Sequence, residues 1–261
     1  MGRPAREGLT SMTNGAPQLP LSGRVAFVTG AGQGLGTAIA RGLAQAGARV
    51  ALADIERSAV EAVAGEISGL GLRLDVRDEA AFRASFDSTV AHYGCVDIMV
   101  NNAARTPSTS LWDITPAEWD DVLAINLRGS FFGCRIAGRH MRERGEGRIV
   151  NLSSMAGQQP SSATGLHYAA SKAGLLALTR SFAQELAPHG VTVNALAPAA
   201  IRSPALDAME PARQQALQAG IPLGRFGLVE EVAAAVVYLA SPAAAFMTGA
   251  TLDLNGGRFM R

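Results

Sequence analysis

Residues 24 to 36 read Arg24-Val25-Ala26-Phe27-Val28-Thr29-Gly30-Ala31-Gly32-Gln33-Gly34-Leu35-Gly36. Val25 to Val28 is a short continuous apolar run, the pattern of a strand buried on both faces of a parallel sheet. A glycine-rich turn follows, and the stretch from about Leu35 to Ala46 predicts a helix, with Gly47 standing where a helix C-cap belongs. Strand, glycine turn and helix in this order allow a backbone to approach a pyrophosphate, whose negative charge is favoured at the helix N-terminus. Gly30, Gln33, Gly34, Leu35 and Gly36 are therefore candidate contacts for a dinucleotide.

Outward from this stretch the alternation repeats. Strands are expected at Val50–Ala53, Gly71–Leu74, Ile98–Asn101, Arg148–Leu152, Val191–Ala195 and Thr251–Leu254. Helices are expected at Glu56–Ile67 and Glu79–Tyr93, with a late one beginning near Val229. Seven strands separated by helices predict the α/β class, specifically a single-domain Rossmann fold with a doubly wound seven-stranded parallel sheet covered by helices on both faces. Residues 21–261 are expected to form that domain, and residues 1–20, with Arg3, Arg6 and several Pro, Gly, Asn and Ser, a flexible N-terminal extension. The least regular stretch, residues 199–220, falls at the carboxyl edge of the sheet, where ligands bind in such folds, and is expected to be a substrate lid. Its Leu206, Met209 and Leu217 either contact substrate or pack the lid.

Hydrophobic residues make up 48% of the 261, enough for a core between a sheet and two helix layers, and the formal net charge is +1. Such a balance argues against nucleic acid or an anionic membrane as partner, since both need clustered basic charge. The first 20 residues hold no apolar run long enough for a signal peptide or a membrane span, so a cytoplasmic protein is expected. Cys95 and Cys134 lack metal-ligand spacing and are expected to be buried, reduced packing residues, with no metal site. At the end of the second strand, twenty positions beyond Gly34, stands Asp54, followed by Ile55. A carboxylate there accepts hydrogen bonds from the adenosine ribose hydroxyls and repels a 2′-phosphate, which predicts NAD over NADP. A cap for the next helix is a compatible second role, and Arg57 complicates the choice.

Further motifs occur in order: Asp75-Val76, Asn101-Asn102-Ala103 followed by Ala104, Ile125-Asn126-Leu127, Ser153-Ser154, Tyr168-Ala169-Ala170-Ser171-Lys172, and Asn194-Ala195-Leu196-Ala197-Pro198. With the glycine turn, these resemble the short-chain dehydrogenases/reductases from about Gly23 to Gly257, including members of the 3-oxoacyl-carrier-protein reductase type. The resemblance implies a catalytic tetrad of Asn126, Ser154, Tyr168 and Lys172. It also implies that Asp75 and Val76 hold the adenine, that Asn102, Ala103 and Ala104 support the cofactor cleft, and that Pro198, Ile201 and Ser203 face the nicotinamide. By the same resemblance Lys172 bonds the nicotinamide ribose, Asn126 holds a water that links Lys172 to solvent, and the chain forms a homotetramer through small residues such as Ala173 and Ala177. Ala104, Ala199 and Asn255 depart from the usual glycine, glycine and acid, and the spacing from Ser154 to Tyr168 is one residue longer than usual.

The chemistry suits these residue types. Hydride transfer belongs to the cofactor, and the protein must orient the substrate carbon and manage one proton. Lys172 lies one helical turn after Tyr168 and so projects from the same face, where its charge, with that of an oxidised nicotinamide, favours the phenolate. Ser154 can polarise the substrate oxygen. The expected function is an NAD(H)-dependent oxidoreductase acting on a small-molecule secondary alcohol or ketone. Two alternatives are a 3-oxoacyl-carrier-protein reductase, against which Arg142 and Arg144 are interleaved with Glu143 and Glu146, and a non-catalytic dinucleotide-binding protein, which should show a broken tetrad. His92, His140, His167 and His189 are read as structural, His167 with a possible place at the pocket wall, and Trp112 and Trp119 as packing residues.

Overall fold

The computed structural model describes residues 19–160 and 163–261. All but Leu19 and Pro20 of the expected N-terminal extension lie outside these, as do two residues of the loop between Ser154 and Tyr168. The seven strands are β1 (Val25–Thr29), β2 (Arg49–Asp54), β3 (Leu70–Arg73), β4 (Ile98–Asn101), β5 (Gly147–Leu152), β6 (Val191–Pro198) and β7 (Thr251–Leu254). They form one parallel sheet in the order β3-β2-β1-β4-β5-β6-β7. Val28 of β1 pairs with Leu52 of β2 on one side and Val100 of β4 on the other. From this β1/β4 junction the chain order runs in opposite directions, and a crevice opens at the carboxyl ends of the two strands.

Alternation along the strands sorts side chains between two cores. Ala26, Val28, Val50, Leu52, Val100 and Leu152 point to the face covered by α1 (Gly34–Gln45), α2 (Arg57–Glu66) and α9 (Val229–Ala240). Val25, Phe27, Ala51, Ala53, Met99 and Ile149 point to the other, under α3 (Glu79–Tyr93), α5 (Gly129–Arg144) and α6 (Leu166–Leu186). There Phe27 stacks on Phe82 at 5.9 Å, and burying a side chain of this size contributes about 1.5–3 kcal/mol. Gly36, at the start of α1, allows that helix to press on the glycine turn: a Cβ on it would lie 1.9 Å from the Gly30 carbonyl oxygen.

Expected and observed boundaries agree to a residue or so, with one larger difference. The strand expected to end at Ala195 runs to Pro198, because β6 is paired on both sides: Leu196 meets Leu152 and Leu252, and Pro198 meets Leu254. Gly47 follows α1 with φ of 97°, as its C-cap position requires. The helix carrying Asn126 is composite: α4 (Pro116–Leu123) passes through a π-helical turn, Ala124–Arg128, directly into α5. Residues 199–220 contain two short helices, α7 (Pro204–Asp207) and α8 (Pro211–Ala219), and their base is fixed by a parallel bridge from Ile201 to Gly227.

Two packing expectations fail. Trp112 is 89% exposed, because Ser110 to Asp113 close a turn on the loop after β4 and the ring is carried outward; Trp119 is half-buried on α4. Cys95 is only half-buried, since it stands before the amino end of β4 beside Asp97, at 3.5 Å; Cys134 is fully buried on α5 as expected. Among the described residues no helix is long and apolar enough to cross a membrane, and no cluster of metal-ligating side chains occurs.

Candidate active site

The crevice widens into a cleft of about 850 Å³, walled by the connections that leave β1 through β6. Every residue expected to contact cofactor lines it: Gly30, Gln33, Gly34, Leu35 and Gly36 on the turn, Asp54 and Ile55 after β2, and Asp75 and Val76 after β3. Asn102, Ala103 and Ala104 follow β4, Tyr168 and Lys172 come from α6, Pro198 ends β6, and Ile201 and Ser203 follow it. Ser154, at the end of β5, lies among them. Arg77, Arg105 and Thr106 also line the cleft and were missed, although each stands one or two residues beyond a recognised motif at a strand's carboxyl end.

The turn fits a dinucleotide pyrophosphate. Gly34, with φ of 55°, has nothing within 4 Å of the place a Cβ would occupy, so the backbone opens onto free space at the N-terminus of α1. Behind it the Asn102 amide donates to the carbonyls of Thr29 and Gly30 at 2.9 and 3.0 Å, which holds the turn against β4. Beside the turn Asp54 accepts from the Gly32 amide at 2.9 Å through one oxygen and from the Glu56 amide at 3.1 Å through the other. Both proposed roles of Asp54 are thus geometrically compatible: it braces the turn and caps the approach to α2 while facing the cleft. Arg57 turns aside to Glu61, at 3.3 Å.

Asp75 is more heavily engaged than its motif suggests. Arg77 donates to its two oxygens through Nε and a terminal nitrogen, and again through the backbone amide at 3.0 Å, which holds the Asp75 carboxyl below the usual carboxylate range. Arg77 also donates to Asp121 of α4 at 2.7 Å, and Asp121 in turn accepts from Arg105 at 2.7 Å, so one carboxylate joins the loop after β3 to the loop after β4.

At the other end stand Lys172 and Tyr168, two members of the expected tetrad. Lys172 is buried, its ammonium donates to the Leu152 carbonyl at 2.6 Å and lies 5.5 Å from the centre of the Tyr168 ring, and desolvation brings its pKa down to about 8. Tyr168 moves the other way. Burial pushes the phenol above its ordinary value, against side-chain hydrogen bonding to Ser154 and Thr106, which lowers it. The expected lowering by Lys172 is not seen in the protein alone, since the ammonium is aimed at a carbonyl and sits over the ring face. Gly157, on the turn after Ser154, lets that turn touch α6: a Cβ there would lie 2.6 Å from the Lys172 carbonyl carbon.

Asn126 stands behind the cleft and does not line it. It is fully buried; its amide nitrogen donates to the Arg105 carbonyl at 3.0 Å and the Ser171 hydroxyl at 3.1 Å, and its oxygen accepts from the Arg105 amide at 2.8 Å. Of the histidines, His140 takes the structural role, accepting from the Val96 amide at 3.2 Å, and His92 is exposed with its ring against Tyr93. His167 is buried 3.5 Å from Glu118 with neither ring nitrogen hydrogen-bonded among the described residues.

Comparison with known proteins gives the family. Residues 30–258 match a family model described as enoyl-(acyl carrier protein) reductase. The chain is 39% identical over 242 residues to the 3-oxoacyl-[acyl-carrier-protein] reductase FabG of Vibrio cholerae, covering 92% of this chain and 99% of that one. It is 41% identical over 241 residues to the 2-dehydro-3-deoxy-L-rhamnonate dehydrogenase (NAD(+)) of a Sphingomonas strain, covering 91% and 96%. A crystal structure of a short-chain type dehydrogenase/reductase from Mycobacterium marinum superposes with a TM-score of 0.86 at 35% identity, covering 94% of this chain and 98% of that one. The sheet order, the cleft at the β1/β4 junction and these relatives together place the chain in the short-chain dehydrogenase/reductase family, oxidoreductases that bind a nicotinamide dinucleotide.

Proposed function

We propose that the protein is an NAD(H)-dependent oxidoreductase that interconverts a small secondary alcohol and its ketone. The observation that carries the cofactor choice is Asp54: a carboxylate anchored by two backbone amides at the adenosine end of the cleft, with the neighbouring Arg57 drawn off to Glu61. A fixed negative charge there accepts from ribose hydroxyls and repels a 2′-phosphate. The Sphingomonas relative, whose name carries NAD(+), supports the same choice.

When bound, the nicotinamide supplies or accepts the hydride. The rest falls to the chain. Ser154 hydrogen-bonds the substrate oxygen and polarises it, Tyr168 gives that oxygen a proton during reduction or takes one during oxidation, and the buried Lys172 supplies positive charge on the same helix face. Ser154, Tyr168 and Lys172 face one cleft, which supports an enzyme over a binding protein that has lost its chemistry. An acyl-carrier-protein substrate, as the Vibrio relative's name suggests, has less support, because the basic residues Arg142 and Arg144 are paired with Glu185 and with Asp97 and Glu146.

Asp54→Ala is expected to raise the KM for NAD and to relax the exclusion of NADP, read as kcat/KM for both cofactors against a panel of ketones and secondary alcohols. A wild type that already uses NADP with the higher kcat/KM sinks the assignment.

Residues 199–220 are proposed to close over bound ligands as a lid. No residue of α8 is buried, so little packing holds that helix down, whereas Ile201 and Ser203 at its base already line the cleft. Amide hydrogen exchange across α7 and α8 is expected to slow when NAD and substrate are added. Equal exchange with and without ligands refutes the lid.

A further inference from the structure

We propose that Gln158 and Asp253 are positioning residues: their hydrogen bond, 2.6 Å from the Gln158 side-chain nitrogen to one Asp253 oxygen, moors the turn that presents the Ser154 hydroxyl to substrate. This rests on the reading of Ser154 as the group that polarises the substrate oxygen. Ser154 and Gln158 are the two ends of one 3₁₀ turn, Met155–Gly157. Ser154 caps its start, where its hydroxyl accepts from the Ala156 amide at 3.1 Å and its carbonyl from the Gly157 amide at 3.0 Å. Gln158 closes its end, donating from its backbone amide to the Met155 carbonyl at 2.9 Å. Three residues tied in this way leave little slack, so a shift at Gln158 reaches Ser154.

The fold holds this turn from two sides. At its start the Ser153 hydroxyl donates to the Lys172 carbonyl at 2.8 Å, and Gly157 lets the turn lie against the same stretch of α6. Its end is held from β7, 95 positions away in sequence. Asp253 alternates with Leu252 and Leu254, which pack on the core under α1 and α9, so its carboxylate faces the side of the sheet that carries α6. Its backbone is fixed by pairing with Ala197 of β6. Its second oxygen accepts from Arg261 at 3.1 Å, and Arg261 also donates to the Thr251 carbonyl at 3.1 Å, so the carboxylate cannot rotate away from Gln158 without losing a partner. An ionised acceptor makes this hydrogen bond roughly twice as strong as a neutral one. Neither Gln158 nor Asp253 lines the cleft, so an effect on turnover must pass through the turn.

The donor and acceptor can be exchanged. Gln158→Glu alone sets a second carboxylate against Asp253, and it should slow single-turnover oxidation of the panel alcohol that the wild type oxidises fastest by about tenfold, with the Kd for NAD unchanged. Adding Asp253→Asn lets an amide donate from position 253 while its oxygen still accepts from Arg261, and should restore most of that rate. A double-variant cycle then asks whether the pair acts through Ser154. Ser154→Ala should lower the rate by about 10²-fold or more. Gln158→Leu, which removes the donor at similar size, should cost about tenfold in the wild type and nothing further in the Ser154→Ala background. Equal fold losses with and without the Ser154 hydroxyl overturn the proposal, as does a Gln158→Leu enzyme of full rate. An exchanged protein that binds NAD like the wild type and stays slow overturns it too. Full turnover by Ser154→Ala, or a wild type that turns over no alcohol or ketone with either cofactor, overturns the reading of Ser154 instead and its positioning with it.

Discussion

Tyr168→Phe is expected to bind NAD with near-wild-type affinity and to turn over about 10² or more times slower. The substitution keeps the ring that packs under the Lys172 ammonium and deletes only the phenol oxygen. Cofactor contacts on the glycine turn, at Asp54 and after β6 are untouched, so binding and chemistry should separate. In the alcohol-oxidising direction the wild-type rate should rise with pH as the phenol loses its proton. Burial holds the phenol high in the protein alone, so a midpoint within the working range requires the positive charge of the oxidised nicotinamide in addition to Lys172. A Tyr168→Phe protein that folds, binds NAD and works at near the wild-type rate removes the proposed mechanism.

Lys172→Met is expected to do more damage to turnover than Tyr168→Phe while relieving the folded protein of a penalty. The ammonium is buried and its pKa falls from 10.5 to about 8, a difference worth about 3 kcal/mol at 1.36 kcal/mol per unit. The folded pKa lies below the unfolded one, so between pH 8 and 10.5 the unfolded chain holds the extra proton. Wild-type stability therefore gains as pH rises through that window, and below it carries the full cost of a buried charge. Methionine has no charge to bury, but it leaves the Leu152 carbonyl without its donor, which costs roughly 1–3 kcal/mol. Near pH 7 the variant should be at least as stable as the wild type, and its relative advantage should decline by about 3 kcal/mol as pH rises from 8 to 10.5. Parallel denaturant titrations across that range test this, and a constant difference means that burial does not penalise the ammonium.

Much of the molecule was legible because its signals are local. Continuous apolar runs such as Val25 to Val28 predict strands buried on both faces, and the strand-turn-helix order places the glycine turn at their carboxyl ends. Asp54, Tyr168 and Lys172 could be read by position because strand ends and helical turns fix where they point. Contacts between segments distant in sequence could not. Nothing near Asn126 in sequence says that its amide is committed to Arg105 and Ser171, which lie 21 and 45 positions away. The exposure of Trp112 depends on the direction in which a loop leaves the sheet, which side-chain type does not determine.

The close contact between Gly36 and the Gly30 carbonyl bears on how the enzyme could diversify. With a Cβ position 1.9 Å from a backbone oxygen, position 36 in the first turn of α1 admits no side chain, so descendants of this chain keep glycine there. The opposite wall includes Ala199, Ile201 and Ser203 at the base of residues 199–220, a surface segment of the kind that tolerates replacement. A lineage could therefore exchange one substrate for another by drift at that wall, with no intermediate generation losing its grip on the dinucleotide.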